Sequence, residues 1–362
     1  MGTGGVATVH LGQGAFSYST DTWAFTVSDP WTDLAFLYRQ LEHRLPQIDY
    51  AGFGGSGLRH LDKEYIRRLS LPVPSLEEQA LIARMLGAID TAIHETEAII
   101  AKLKAVKQGL LRDLLTRGID DNGEPRPSQA EAPHLYKQSP LGFIPKEWSL
   151  AAAGRRCSAI TKGTTPAAGK MSEGGEGVRF LRVDNLTFDG TLDFQASNFF
   201  VSRKTHLGEL ARSVCLPGDV LTNIVGPPLG KLGLIRHETG DANINQAVAL
   251  FRPTPMVLSE FLLLWIGGSL AQSWFRQRAK QTSGQVNLTL ALCQELPVAD
   301  LPIEEQRLIV SRIESLDEQL YLEVDKHQKL RETKAGLMDD LLTGRVRVAP
   351  LLASAERQEG WN

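Results

Sequence analysis

Cysteine is scarce in this chain: Cys157, Cys215 and Cys293 are the three among 362 residues, and they have neither disulfide nor metal spacing. That excludes a disulfide scaffold and a zinc finger, and an odd set of thiols fits a reducing, cytoplasmic setting. Long apolar runs are missing too. The longest candidate, Val257 to Ile266, is broken by Ser259 and Glu260, so no membrane span is expected. The first residues show no basic start followed by an apolar stretch, which excludes a secretory signal there.

Signatures of chemistry are absent as well. No Gly-x-Gly-x-x-Gly follows a strand pattern. Gly163 to Met171 imitates a phosphate loop, but five residues separate Gly163 from Gly169, and Met171 stands where a hydroxyl would hold magnesium. The stretch Asn223 to Leu229 only faintly resembles the Asn-Pro-Pro-aromatic motif of amino methyltransferases, because Asn223 is not adjacent to Pro227 and Pro228 and the stacking aromatic is missing. No nuclease carboxylate set stands out. The chain is therefore expected to be no enzyme and to need no cofactor or metal.

Charge of one sign is also in short supply, at −3 overall, although phosphate binding normally leaves a basic footprint. From Leu135 to Asp300, however, 17 Lys and Arg stand against 13 Asp and Glu. The acidic surplus lies elsewhere.

What is present is a repeat. Glu77-Glu78-Gln79, Ile82, Ile89-Asp90 and Lys107 to Thr116 align without a gap, at an offset of 227, with Glu304-Glu305-Gln306, Ile309, Leu316-Asp317 and Lys334 to Thr343. Two copies with a whole domain between them are not a solenoid. Ile82, Leu86, Ile89, Ile93, Thr96, Ile100, Leu103, Lys107, Leu110 and Leu114 follow at alternating steps of four and three. So do Ile309, Ile313, Leu316, Leu320, Glu323, His327, Leu330, Lys334, Leu337 and Leu341. Each is a heptad seam with polar interruptions, and about 40 residues make a rod of roughly 60 Å. Ser75 with Glu78 forms a capping box after Pro74; Asp300 is a plausible cap for the second helix; Gly118 and Gly344 close the two. His327 reads as a helix-surface residue.

The flanking blocks repeat too. Ser56 to Leu61 aligns with Ser283 to Leu288, and Phe36-Leu37-Tyr38 with Phe261-Leu262-Leu263 after a two-residue adjustment. Gly4 to Val9 resembles Gly230 to Ile235 more loosely. The expected order is a first block over 1–74, a long helix over 75–117, a linker over 118–134, a second block over 135–302, a second long helix over 303–345 and a loose tail over 346–362. Equivalent blocks related by an approximate two-fold axis would make their helices run oppositely, seam on seam.

Several landmarks in the second half occur in a recognisable order: Gly142 to Trp148, Lys162-Gly163-Thr164-Thr165-Pro166, Arg179 to Leu186, Leu216 to Leu221 and Asn245 to Val248, then the Pro302-Ile303-Glu304-Glu305-Gln306 helix start. With the duplicated helix, this set resembles the DNA-specificity subunits of type I restriction–modification systems, over about residues 139 to 345 and, in part, 1 to 117. The resemblance implies an α+β fold with two target-recognition domains, each followed by a long coiled-coil helix. It implies a non-catalytic subunit that binds double-stranded DNA and directs methyltransferase subunits, and through them restriction and translocase subunits, to a bipartite site. The offset of 227 places the counterpart of Ser139 about 88 residues before Met1, so the first recognition domain is expected to be partial. Two copies could then pair and read an inverted repeat. A coiled-coil adaptor without a DNA role, or a solitary methyltransferase or nuclease, is the alternative.

Polar loop residues suit phosphate and base-edge contacts. The candidates are Lys162, Thr164, Thr165 and Lys170; Arg203 and Lys204; Asn223 and Lys231; and Arg276, Arg278, Lys280, Gln285 and Asn287. Arg276 to Lys280 is the densest basic cluster, while Gly163 and Pro166 are expected to shape their loop.

Overall fold

The computed structural model describes every residue except 2–4, 13, 55–59, 168, 227, 283–284 and 351–362, and only the backbone at 280–282 and 285. The aligned pairs Ser56-Gly57 and Ser283-Gly284 lie outside the described residues. The fold is mixed α and β, in two compact units: Met1–Lys102 with Gln319–Asn362, and Leu103–Glu318.

Two long helices follow the seams, Leu76–Arg117 and Ile303–Leu342. All twenty seam residues are buried or half-buried, including Thr96, which turns its hydroxyl back to the Ala92 carbonyl at 2.7 Å. The first helix opens on the expected box: the Ser75 hydroxyl accepts from the Glu78 amide at 3.4 Å, and the Glu78 carboxylate accepts from the Ser75 amide at 3.4 Å. The second opens differently. Asp300 is no cap; its carboxylate accepts from the Ser149 hydroxyl at 3.0 Å and pairs with Arg156, and the helix begins just after Pro302. Gly118 and Gly344 end the helices at φ +67° and +76°, left-handed values that favour glycine.

In the first unit, helix Leu34–Ala51 is capped by Asp33, whose carboxylate accepts from the Phe36 amide at 2.8 Å. Phe36 packs with Ile82, Leu86, Met338, Leu341, Leu342 and Val348. The segment expected to be a loose tail is docked as far as Val348, which is buried, while Arg347 holds the Glu78 carboxylate at 2.7 and 3.0 Å. Those bonds keep the Glu78 carboxyl below the usual carboxylate range. Nearby, Lys334 bridges Asp90 (2.8 Å) and Glu42 (2.7 Å), and Arg39 pairs with both acids. His327 is no free surface residue: its Nε2 lies 3.0 Å from a Glu97 carboxylate oxygen.

The second unit carries the sheets. One orders Val214–Cys215, Ala242–Ile244, Val178–Leu181, Phe199–Val201 and Met171–Glu173; another orders Leu232–Leu234, Val220–Asn223, Val248–Pro253 and Cys157–Lys162. Helices Ser259–Gly267 and Ser269–Arg278 pack Phe261, Trp265, Trp274 and Phe275 into a core shared with Trp148, Leu114, Leu115, Ile309, Val310 and Ile313. Lys107 pairs with Asp317. Residues 118–134, a linker by composition, are ordered. Asp120 accepts the amides of Asn122 (3.0 Å) and Glu124 (2.9 Å), and Ile119 and Arg126 are buried.

The Glu-Glu-Gln motif acquires a physical meaning in both units. In the first, buried Gln79 donates to the carbonyls of Trp31 and Pro74, both at 2.8 Å, and accepts from the Asp33 amide at 2.7 Å. In the second, buried Gln306 donates to the carbonyls of Met256 and Leu301, both at 3.1 Å, and accepts from the Leu258 amide at 2.9 Å. Leu301 is the 227-offset equivalent of Pro74; Met256 and Leu258 match Trp31 and Asp33 after the two-residue adjustment. Each glutamine thus ties the start of its block's helix to the start of its long helix.

Candidate nucleic-acid interface

The sequence-derived candidates fall into two groups in the second unit. The first surrounds the loop after strand Cys157–Lys162. Gly163 is required there because a Cβ would run into the carbonyls of Ile244 and Asn245. Lys162, Thr165 and Lys170 are exposed. The loop is pinned by the segment after helix Arg203–Leu207. Arg212 donates to the Thr164 hydroxyl from Nε (3.0 Å) and Nη2 (2.7 Å), and Glu209 accepts from the Ala167 amide (3.0 Å) and Lys170 Nζ (2.6 Å). Arg203 is exposed and pairs with Asp241 at 2.5 Å; Lys204 is exposed.

The second group lies at the end of helix Ser269–Arg278. Arg276 and Arg278 are exposed, and the Arg278 guanidinium sits 4.6 Å from the Trp274 ring centroid. The chain continues into the hairpin Lys280–Thr282 and Gln285–Asn287, to which Val225–Gly226 adds a third strand. The side chains of Lys280 and Gln285 lie outside what is described. Asn287 is half-buried opposite Val225, and half-buried Lys231 reaches the Val183 carbonyl at 3.5 Å.

Asn223 needs correction. It is 1% exposed, donates to the carbonyls of Val225 (3.1 Å) and Pro228 (2.9 Å), and accepts the amides of Gly230 (3.0 Å) and Lys231 (2.9 Å). That uses both donors and both acceptor sites of an asparagine side chain. It shapes the turn and has nothing left for a base.

Sequence reasoning missed three arginines. Arg212 is exposed beside the Thr164 loop. Arg179 lies between the rings of Phe194 (4.3 Å) and Phe200 (5.2 Å), and Arg182 lies over Phe199 (5.1 Å). The signal was available in Arg179-Phe180-Leu181-Arg182, but nothing in sequence told which aromatic faced which cation.

Exposed guanidinium and ammonium groups on glycine- and proline-shaped loops can hold phosphates and read guanine edges. Nucleophilic chemistry has poor material. Burial pushes the thiols of Cys157 and Cys293 up to about 12, and that of Cys215 higher still, so all three are protonated at neutral pH. Among the described residues no group of three or more His, Cys, Asp or Glu could hold a metal, and no helix is long and apolar enough to cross a membrane.

Residues 2–105 match the model of the type I restriction modification DNA specificity domain. That match spans less than a third of the chain, and over most of its length the chain resembles type I specificity subunits. The match falls on the first block and first helix, where the sequence landmarks were fewest. Over 306 residues, 82% of the chain and 67% of the relative, it is 24% identical to the type I restriction enzyme MjaVIII specificity subunit of Methanocaldococcus jannaschii. Over 295 residues it is 27% identical to the EcoBI specificity subunit of Escherichia coli, covering 78% of this chain and 58% of that one. The crystal structure of the S subunit from M. genitalium is similar in fold, with a TM-score of 0.52 at 16% identity, covering 87% of this chain and 74% of that one.

Proposed function

We propose that this chain is the DNA-recognition subunit of a type I restriction–modification complex, without catalysis of its own, and that it directs methyltransferase and restriction subunits to their site. On this reading the chain comprises a first recognition block (1–74), a long helix (75–117), a connector (118–134), a second block (135–302) and a second long helix (303–345), the helices pairing antiparallel. The observation that carries it is the duplicated glutamine joint: the same hydrogen bonds fix a block to a long helix twice. Ion pairs support the antiparallel part, because partners descend on one helix as they rise on the other: Asp90 with Lys334, Glu97 with His327, Lys107 with Asp317.

Within this reading the Lys162–Lys170 loop, Arg203, Lys204 and Arg276 to Asn287 face DNA, with Arg212 added and Asn223 reassigned to the scaffold. An electrophoretic shift with the partner methyltransferase subunit present tests it. Changing Arg276, Arg278 and Lys280 together to Ala should weaken binding and flatten its salt dependence, by about 0.9 in slope for each phosphate no longer neutralised. An unchanged slope would turn that cluster away from DNA. Methyl transfer or cleavage by the purified chain alone would overturn the non-catalytic reading.

A further inference from the structure

Each long helix carries an aspartate and, seventeen residues on, a lysine: Asp90 and Lys107 on the first, Asp317 and Lys334 on the second. The four occupy repeat-equivalent positions. Each lysine meets the aspartate of the other helix, Lys107 with Asp317 in one unit and Lys334 with Asp90 in the other. Seventeen residues span about 25 Å of helix. Run parallel, the aligned seams would set Asp90 against Asp317 and Lys107 against Lys334. Slid by one heptad, both pairs would open. Antiparallel pairing in a single register satisfies all four charges at once.

This code alone is blind to identity, since either helix would satisfy it equally well against a second copy of itself. A third pair breaks the tie. Glu97 meets His327 at 3.0 Å, but their repeat equivalents are Val324 and Ile100. In the mixed pair of helices, polar therefore opposes polar, and Ile100 and Val324 occupy the matching level. In a pair of first helices Glu97 would oppose Ile100, and in a pair of second helices His327 would oppose Val324. His327 and Ile100 lie on the seams while Glu97 and Val324 flank them, and polar groups at and beside a seam specify partners through such mismatches.

We propose that Asp90, Lys107, Asp317 and Lys334 are positioning residues that fix the direction and register of the two long helices, and that Glu97 with His327 makes each helix choose the other over a second copy of the chain. The inference rests on the antiparallel reading, so that reading is tested separately. With Leu86→Cys and Met338→Cys, two positions of one buried cluster, an intrachain disulfide should form on oxidation; with Leu86→Cys and Ile313→Cys it should not. Failure of the first link, or formation of the second, removes the antiparallel reading and the code together.

The code itself is read by charge exchange in the full chain. Lys107→Asp and Asp317→Lys should each lower the denaturation midpoint, and the double variant should recover at least half of the loss. Silent single variants, or a double variant with no recovery, would overturn the register role while the disulfide result stands. Where a single reversal does not fold, Lys107→Gln and Asp317→Asn replace it in the same cycle, and their losses should be less than additive. For partner choice, Glu97→Val with His327→Ile gives both helices the same apolar pairing at that level. Light scattering should then find dimers at roughly tenfold lower concentration than for the unaltered chain, because a small mismatch energy is one factor of ten in an equilibrium constant per 1.4 kcal/mol. Unchanged self-association would remove the selective role of Glu97 and His327.

Discussion

The two helix starts are copies in sequence and unequal in structure. Gln79 and Gln306 make the same three hydrogen bonds, yet their neighbours Glu78 and Glu305 do not share a fate. Glu78 takes Arg347, whose side chain is 62% exposed. Glu305 takes Arg126, 10% exposed, at 2.5 Å, and also accepts the Ile119 amide at 2.9 Å and the Trp148 indole N–H at 3.1 Å. Burial would lower the Arg126 pKa, but bonds to Glu305 and Glu147 raise it above its ordinary value. One duplicated acid is therefore a cap with a surface partner, and the other is the centre of a buried network. Duplication preserved the backbone-directed glutamine and let the charge adapt to its surroundings.

The largest expected effect breaks the copies apart. Glu305→Ala leaves the Trp148 indole N–H and the Ile119 amide unpaired and Arg126 with the exposed Glu147 as its acid, and should destabilise its unit by roughly 3 kcal/mol, the low end of the cost of breaking a buried ion pair. Glu78→Ala leaves Arg347 free to hydrate and loses a helix cap, about 1 kcal/mol. Urea unfolding of the two variants beside the unaltered chain should separate them by the size of the loss. Equal losses would mean that the buried network contributes nothing beyond its surface counterpart.

The next effect should bring the copies together. Gln306→Leu leaves the Leu258 amide and two carbonyls unpaired, and Gln79→Leu does the same to the Asp33 amide and its two carbonyls. Each should cost about 1 kcal/mol, the low end of the penalty for unmade hydrogen bonds, because water reaches some of the freed groups. Amide exchange at Asp33 and Leu258 should quicken to a similar degree. A loss in one unit alone would show that the joints are not equivalent.

Local patterns were legible in the sequence; long-range partners were not. Both seams, the Ser75 box and the terminal glycines could be read because each depends on residues within a few turns. The partners of Glu305 lie 186 and 179 positions away, at Ile119 and Arg126, in a stretch whose Pro, Gly and Asp content reads as a linker. Composition registers turn-forming residues but cannot tell a turn in solvent from one packed on a helix start. The tail from Val346 misled for the same reason, since Val348 is buried by residues far away in sequence. At the interface, Asn223 and Thr164 both suit a DNA contact by residue type. Only the fold showed that Asn223 has its hydrogen bonds filled, and that Arg212, not considered in the sequence, stands beside Thr164.

The smallest expected effect separates the two lysine–aspartate pairs by their exposure to water. Burial would push the Asp90 carboxyl up, but hydrogen bonds from Lys334 and Arg39 outweigh it and hold the group below the usual carboxylate range. The other pair is more open to water, with the Asp317 side chain 45% exposed against 22% for Asp90. A carboxyl whose folded pKa lies below its unfolded value of about 3.9 contributes stability that is fully present above that value. The contribution fades as pH falls toward the folded pKa, because the unfolded chain then binds the proton first. Asp90→Asn should therefore lower stability at pH 7 and make the loss between about pH 5 and pH 3 less steep than in the unaltered chain. Asp317→Asn, at the more exposed site, should lower stability at pH 7 by less than Asp90→Asn does. Denaturation midpoints across the window would check the Asp90 slope, and equal losses for the two variants at pH 7 would mean that the lysine–aspartate pairs are as alike in energy as they are in sequence.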